Sequence, residues 1–228
     1  MNTQKMRLAA LVLAMGVSGA VQAALHDRGG GLIYDDVLDI TWLADANYAQ
    51  TSGYDADGLT NGGWAMNLVY HDVIRNVDYA DWRLPETAYI EGAPWEPDPT
   101  CNGLYSDFNC TGSEMGHLFY VDLGGVAGTS IATTHNAATY SLFSNIQPGT
   151  YWSGTSVPSA SLLWAFDMDT GRQHTADAVG DYITYPTHYA WAVRNGDVAA
   201  VPEADTWAML LAGLGLVSLA ARRRATVK

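Results

Sequence analysis

Hydrophobic positions fall in two uninterrupted runs near the chain ends and in short alternating stretches between them. The first run, Leu8 to Val17, follows Lys5 and Arg7 and leads into Val21-Gln22-Ala23, small residues of the kind that precede a signal-peptidase cut. A core helix would show a polar face, and this run has none. Residues 1–23 therefore read as a secretory signal cleaved between Ala23 and Ala24. The second run, Trp207 to Ala221, ends against Arg222, Arg223 and Arg224. As a helix it reaches only about 22 Å at about 1.5 Å per residue, short of a hydrocarbon core of about 30 Å.

Between the runs the pattern changes period several times. "GLIYDDVLDITWLADANYA" sets strand formers around an Asp-rich turn and predicts a hairpin of Leu32 to Tyr34 with Ile40 to Leu43. "WAMNLVYHDVIRN" places Ala65, Leu68, Val69 and Val73 at helical spacing. The stretch from Trp82 to Cys110, with Pro85, Pro94, Pro97 and Pro99, reads as loop. A short helix is predicted in "SEMGHLFYVDLGG", capped by Ser113 and stopped by Gly124. Strands return in "YWSGTS", in "LLWAFDMD" before a turn at Gly171, and in "HYAWAVRN". Strands at both ends around helices and long loops predict an α+β domain over residues 24–200, followed by a tail at 201–228. That length suits one core.

Charge narrows the partners. Between Ala24 and Ala200 five arginines and no lysine stand against 22 acidic residues, a net charge of −17. Nucleic acid needs a basic face and is excluded. An acidic polysaccharide would be repelled unless divalent cations bridge it to the protein. The only cysteines, Cys101 and Cys110, enclose "NGLYSDFN", and in an exported chain such a pair reads as a local disulfide, with free thiols or an intermolecular bridge as the alternatives.

Three stretches, "DWRLPE" (Asp81 to Glu86), "YWSGT" (Tyr151 to Thr155) and "YAWAVRNGD" (Tyr189 to Asp197), carry a resemblance in their order. With "GLIYDDVLDITWL" before them and "NCTGSEMGHLFYVDLGG" between, they resemble the exported bacterial family related to the C-terminal domain of the Legionella collagen-like protein, over roughly residues 30 to 197. The resemblance implies a single domain with a fold similar to C-type lectins and formylglycine-generating enzymes, its N- and C-terminal strands close together. The residues themselves predict central strands with one buried face, with Trp82, Trp152, Trp164 and Trp191 in the core and Arg83 and Arg194 holding carboxylates or loop carbonyls. The competing reading makes those tryptophans a sugar-stacking platform. The tail, with Val201-Pro202-Glu203, the apolar segment and Arg222 to Arg224, is similar to the PEP-CTERM sorting signal of Gram-negative bacteria that make exopolysaccharide, although Ala204 stands where that motif has proline. This implies an exosortase-type membrane enzyme as partner and an inner-membrane intermediate on the way to the surface or matrix. The alternative is a permanent single-span transmembrane helix, and in both cases the arginines stay cytoplasmic.

The sequence points away from an enzyme: six histidines form no HExxH and no serine sits in GxSxG. "DADG" makes Asp55 and Asp57 candidate calcium ligands, although Met66 stands where an EF-hand has its twelfth-position glutamate. Asp35, Asp36 and Asp39 are weaker candidates of the same kind, since Asp favours turns. Two function classes remain. One is a lectin-like module that binds polysaccharide or another surface ligand, associated with exopolysaccharide or biofilm. The other is a purely structural envelope protein without a ligand site.

Overall fold

A computed structural model describes residues 25–53, 63–90, 93–97, 100–101, 107–157, 162–177 and 188–198. Among them, strands β1 (Leu25–Asp27), β2 (Leu32–Asp35), β3 (Ile40–Leu43) and β11 (Val193–Asn195) form an antiparallel sheet in the order β1-β2-β3-β11. The start and the end of the domain thus meet in one sheet, with Val193 opposite Trp42. A second antiparallel sheet joins β8 (Thr150–Ser156), β9 (Leu162–Asp167) and β10 (Arg172–Asp177). Two hairpins, β4 (Tyr70–Asp72) with β5 (Val77–Tyr79) and β6 (Tyr89–Ile90) with β7 (Ala93–Pro97), complete the described sheets. The described helices are short: α1 (Tyr48–Thr51), α2 (Gly63–Met66), α3 (Glu114–His117), a π-helical turn over Leu118–Asp122, and α4 (Ala137–Tyr140). The mixture agrees with the α+β expectation.

The inner strands of both main sheets are buried on both faces, which corrects the one-faced expectation. Alternate residues of a strand point to opposite sides. In the first sheet Ile33, Ile40, Trp42 and Val193 enter one apolar cluster while Leu32, Leu43 and Ala192 enter another. The second sheet divides in the same way, Tyr151 and Phe166 going to the first cluster and Trp152, Leu163 and Ala165 to the second. The small residues of "YAWAVRN", Ala190 and Ala192, are not a solvent face; they are fully buried and let neighbouring layers approach. Trp82, Trp152, Trp164 and Trp191 all lie in the interior. Trp191 packs edge-on against Trp42 and Phe143, at 5.3 and 5.1 Å between ring centroids, and its indole N–H donates to Leu43 O at 2.7 Å.

The hairpin Leu32–Asp35/Ile40–Leu43 and the turn before β10 form as expected. The helical spacing through Val73 does not hold. Helix α2 ends at Met66, and residues 70–79 form the β4–β5 hairpin, leaving Val69 and Val73 61 and 75 % exposed. The turn is set by polar chemistry: Asp72 Oδ1 accepts from the Ile74 and Arg75 amides, Arg75 pairs with the same carboxylate, and Asn76 takes a positive φ of 53°. The stretch from Trp82 to Cys110 is likewise more ordered than a loop, since β6 and β7 lie within it.

Helix α3 begins after Ser113, as its sequence suggests, but the Ser113 hydroxyl does not cap it; it hydrogen-bonds Gln173 of β10. Gly124, at φ +67°, ends the helical segment. A disulfide joins Cys101 to Cys110. The Cys110 carbonyl sits so close to α3 that a Cβ on Gly116 would lie 1.8 Å from its oxygen, so glycine is required there. The same loop is tied to β10 by reciprocal Asp107–Gln173 backbone hydrogen bonds of 2.9 and 2.8 Å.

Candidate functional site

The arginines of the two ordered motifs act as structural ties. Arg83 extends the first sheet through an antiparallel bridge to Val193, and its guanidinium forks onto Glu114 of α3 at 2.8 and 2.7 Å while reaching Asn195 Oδ1 at 2.7 Å. Arg194 grips Asp81 with two bonds of 2.9 Å and lies 4.6 Å above the Tyr79 ring. Both hold carboxylates, as their sequence context predicts.

A different group gathers where the turn after β2 meets the π-helical turn. Asp35 closes β2, and its Oδ1 accepts from the Val37 and Leu38 amides, each at 3.0 Å. Its Oδ2 is left pointing inward. His117 ends α3 and Asp122 ends the π-helical turn. Five residues advance about 500° round an ordinary helix, which would put these two side chains on different faces. The wider i to i+5 closure, seen in the Leu123 N–H to Leu118 O bond of 2.8 Å, brings them to one side. His117 Nε2 lies 3.8 Å from Asp122 Oδ2, and one donor atom each from Asp35, His117 and Asp122 all lie within 4.8 Å of one another.

Burial makes this group unusual. Asp35 is fully buried, the Asp122 side chain is 0 % exposed and that of His117 only 12 %. Among the described residues, Asp35 Oδ2, both Asp122 oxygens and His117 Nε2 have no hydrogen-bond partner. Burial first, and then the adjacent Asp35 carboxylate, push the Asp122 carboxyl up to about 8. Two carboxylate oxygens and an imidazole nitrogen are the donor types of a divalent-cation site.

Sequence reading takes Asp35, Asp36 and Asp39 together as turn carboxylates; the structure separates them. Asp36 pairs with His26 at the surface, at 2.9 Å, and Asp39 accepts from the Tyr34 hydroxyl, also at 2.9 Å. His117 and Asp122 escaped sequence reasoning because their spacing of five fits no helical ligand pattern. Only a π-helical turn makes it one, and nothing in "HLFYVD" announces that turn. The candidate calcium ligands Asp55 and Asp57 lie outside the described residues, as do Ala23, Ala24, Val201, Pro202, Glu203 and Arg222 to Arg224. Among the described residues no helix is long and apolar enough to cross a membrane.

The tail is settled by comparison with known families. Residues 200–224 match the PEP-CTERM protein-sorting motif. That signal implies processing by an exosortase, a membrane enzyme, and export through the membrane to the surface of a Gram-negative bacterium. No curated protein and no solved structure matches the chain.

The PEP-CTERM match carries a direct expectation. In a host with the cognate exosortase, the exported protein loses everything after about Glu203, and changing Pro202 and Glu203 to alanine leaves the tail in place. Intact-mass spectrometry of the surface fraction reads both. Recovery of Lys228 on most wild-type molecules would refute processing.

Proposed function

We propose that this exosortase-sorted protein works outside the cell as a non-enzymatic binding domain of the lectin-like class, holding a polysaccharide or another ligand of the surface matrix. The observation that carries the reading is the closure of β3 on β11, which brings the two ends of the domain together as the resemblance implies. It leaves the intervening segments to form a ligand face. The absence of any HExxH or GxSxG pattern supports a non-catalytic role.

The aromatic chemistry limits how a sugar is held. Trp42, Trp64, Trp82, Trp152, Trp164 and Trp191 are each 4 % exposed or less, so none of them offers a stacking face. With those six rings closed off, the reading rests on polar side chains and, for acidic glycans, on bridging cations that offset the −17 charge of residues 24–200. The same burial favours a second reading, a structural envelope component without a ligand site.

A glycan array probed with the processed protein, in millimolar calcium and in chelator, separates the two. Saturable and sugar-selective binding is expected, with signal on acidic glycans falling at least about tenfold in chelator. Uniform background in both conditions would favour the structural reading, and tight binding to acidic glycans in chelator at low salt would remove the bridging role.

A further inference from the structure

We infer that Asp35, His117 and Asp122 form a binding site for a divalent transition-metal ion of the zinc class, which clips the turn after β2 to the π-helical turn. The first ground is the cost of the group without an ion. Two carboxyl groups facing each other out of water need a shared proton or a cation between them, and natural interiors supply one or the other. Here the side chains of Asp35 and Asp122 are out of solvent, and three of their four oxygens have no partner among the described residues. The Asp35 oxygen that does have partners uses them to fix the turn, which orients the other oxygen toward Asp122.

The second ground is the third donor. His117 Nε2 is also without a partner and belongs to the same group of atoms within 4.8 Å. A group of acidic residues alone suits hard cations such as calcium, magnesium and manganese. Adding an imidazole changes the preference, because zinc and its neighbours take mixed nitrogen and oxygen sets, whereas calcium takes six to eight oxygens. Zinc bonds these atoms at about 2.0 to 2.2 Å in a tetrahedron, which sets its donors about 3.3 to 3.6 Å apart. The 3.8 Å His117–Asp122 separation is within about half an ångström of that spacing, and the remaining pairs, at up to 4.8 Å, reach it with at most about 1.5 Å of side-chain movement.

The third ground is the backbone. A π-helical turn is a costly insertion that occurs often at functional sites. In this chain it is the feature that brings His117 and Asp122 to one side. The Asp122 carbonyl is meanwhile fixed from α4 by the Thr139 hydroxyl at 2.7 Å, so the ligand-bearing end of the turn is anchored independently of its side chain. The site stands apart from the glycan-binding reading, and its test does not involve a glycan.

The exported protein, freed of metal by chelator and dialysis, is titrated with zinc, cobalt(II), calcium and magnesium while Tm and bound metal are followed. Zinc is expected to bind one to one at this site and raise Tm, cobalt to give visible ligand-field bands, and calcium and magnesium at equal concentration to do neither. Asp122→Asn removes the buried like-charge pair, so its apo form is expected to be at least as stable as the apo wild type while losing at least about tenfold in zinc affinity. His117→Gln is expected to lose the cobalt spectrum and keep the fold. Unchanged zinc affinity in both variants would place the metal elsewhere and overturn the assignment. So would the absence of any zinc-dependent rise in Tm, which would leave a proton shared by the two carboxylates as their only occupant.

Discussion

Arg83→Met is expected to lower the free energy of unfolding by about 3 to 5 kcal/mol, the range for removing one partner of a largely buried ion pair. Methionine keeps the apolar stem of the side chain, so the loss reports the guanidinium and not the packing. The guanidinium makes two bonds to Glu114, two to Asn195 Oδ1 and one to Leu84 O, and its pair is 23 and 15 % exposed, too shielded for water to replace what is lost. Glu114 would retain the Glu86 amide, at 2.7 Å, as its donor. Against a typical domain stability of about 5 to 15 kcal/mol, this is a large fraction. Urea denaturation of Arg83→Met, Glu114→Gln and the double variant gives the coupling between the two residues. A loss below about 1 kcal/mol, or no coupling, would show that this contact is a surface pair of ordinary weakness.

Arg83 also shows which parts of the fold were legible in the sequence. "DWRLPE" and "AWAVRN" read as structural motifs because an arginine among tryptophan and aliphatic residues has few uses other than tying an interior edge, and the structure places both arginines on carboxylates. The hairpin around Asp35 was legible because strand formers flank a turn rich in Asp. The helix expected through Val73 was misread because four apolar residues at helical spacing also fit a short turn of helix followed by a hairpin. The carboxylate of Asp72, which holds the Ile74 and Arg75 amides and the Arg75 guanidinium within the turn itself, decided between them. The double-sided burial of the sheets was hidden for a related reason. Alanine and serine on a strand look like a solvent face, yet Ala190, Ala192 and Ser153 are at most 1 % exposed because a second layer covers them. The Asp35–His117–Asp122 group was the least legible, since it depends on a backbone irregularity and on a contact between residues more than eighty positions apart.

His174 gives the domain an acid-sensitive element whose sign can be worked out. It lies on β10 opposite Ala165, and its Nδ1 has no hydrogen-bond partner among the described residues. Burial first, then Arg172, push its imidazole down to about 4 against the opposing pull of Asp167, with His188 adding to the decrease. The unfolded chain, with an ordinary value of 6.5, therefore takes up the proton first as pH falls. The stabilisation is complete above pH 6.5, is lost progressively between about 6.5 and 4, and changes no further below that. A displacement of this size corresponds to about 3 kcal/mol in full, of which about 2.5 kcal/mol is gone by pH 4.5. Asp122 acts with the opposite sign, because its raised value favours the folded state at low pH, so the raw stability profile mixes the two. The comparison that isolates the imidazole is wild type against His174→Leu, in which Asp122 is common to both. The stability advantage of the wild type over the variant is expected to shrink by about 2.5 kcal/mol between pH 7.5 and 4.5, whatever its value at pH 7.5. Asp72 and Asp81, whose carboxyls are held below their usual range by Arg75 and Arg194, titrate beneath this window and leave the comparison unaffected. Chemical denaturation at four pH values measures the gap, and a gap that stays constant across the window would mean that His174 titrates alike in the folded and unfolded chains.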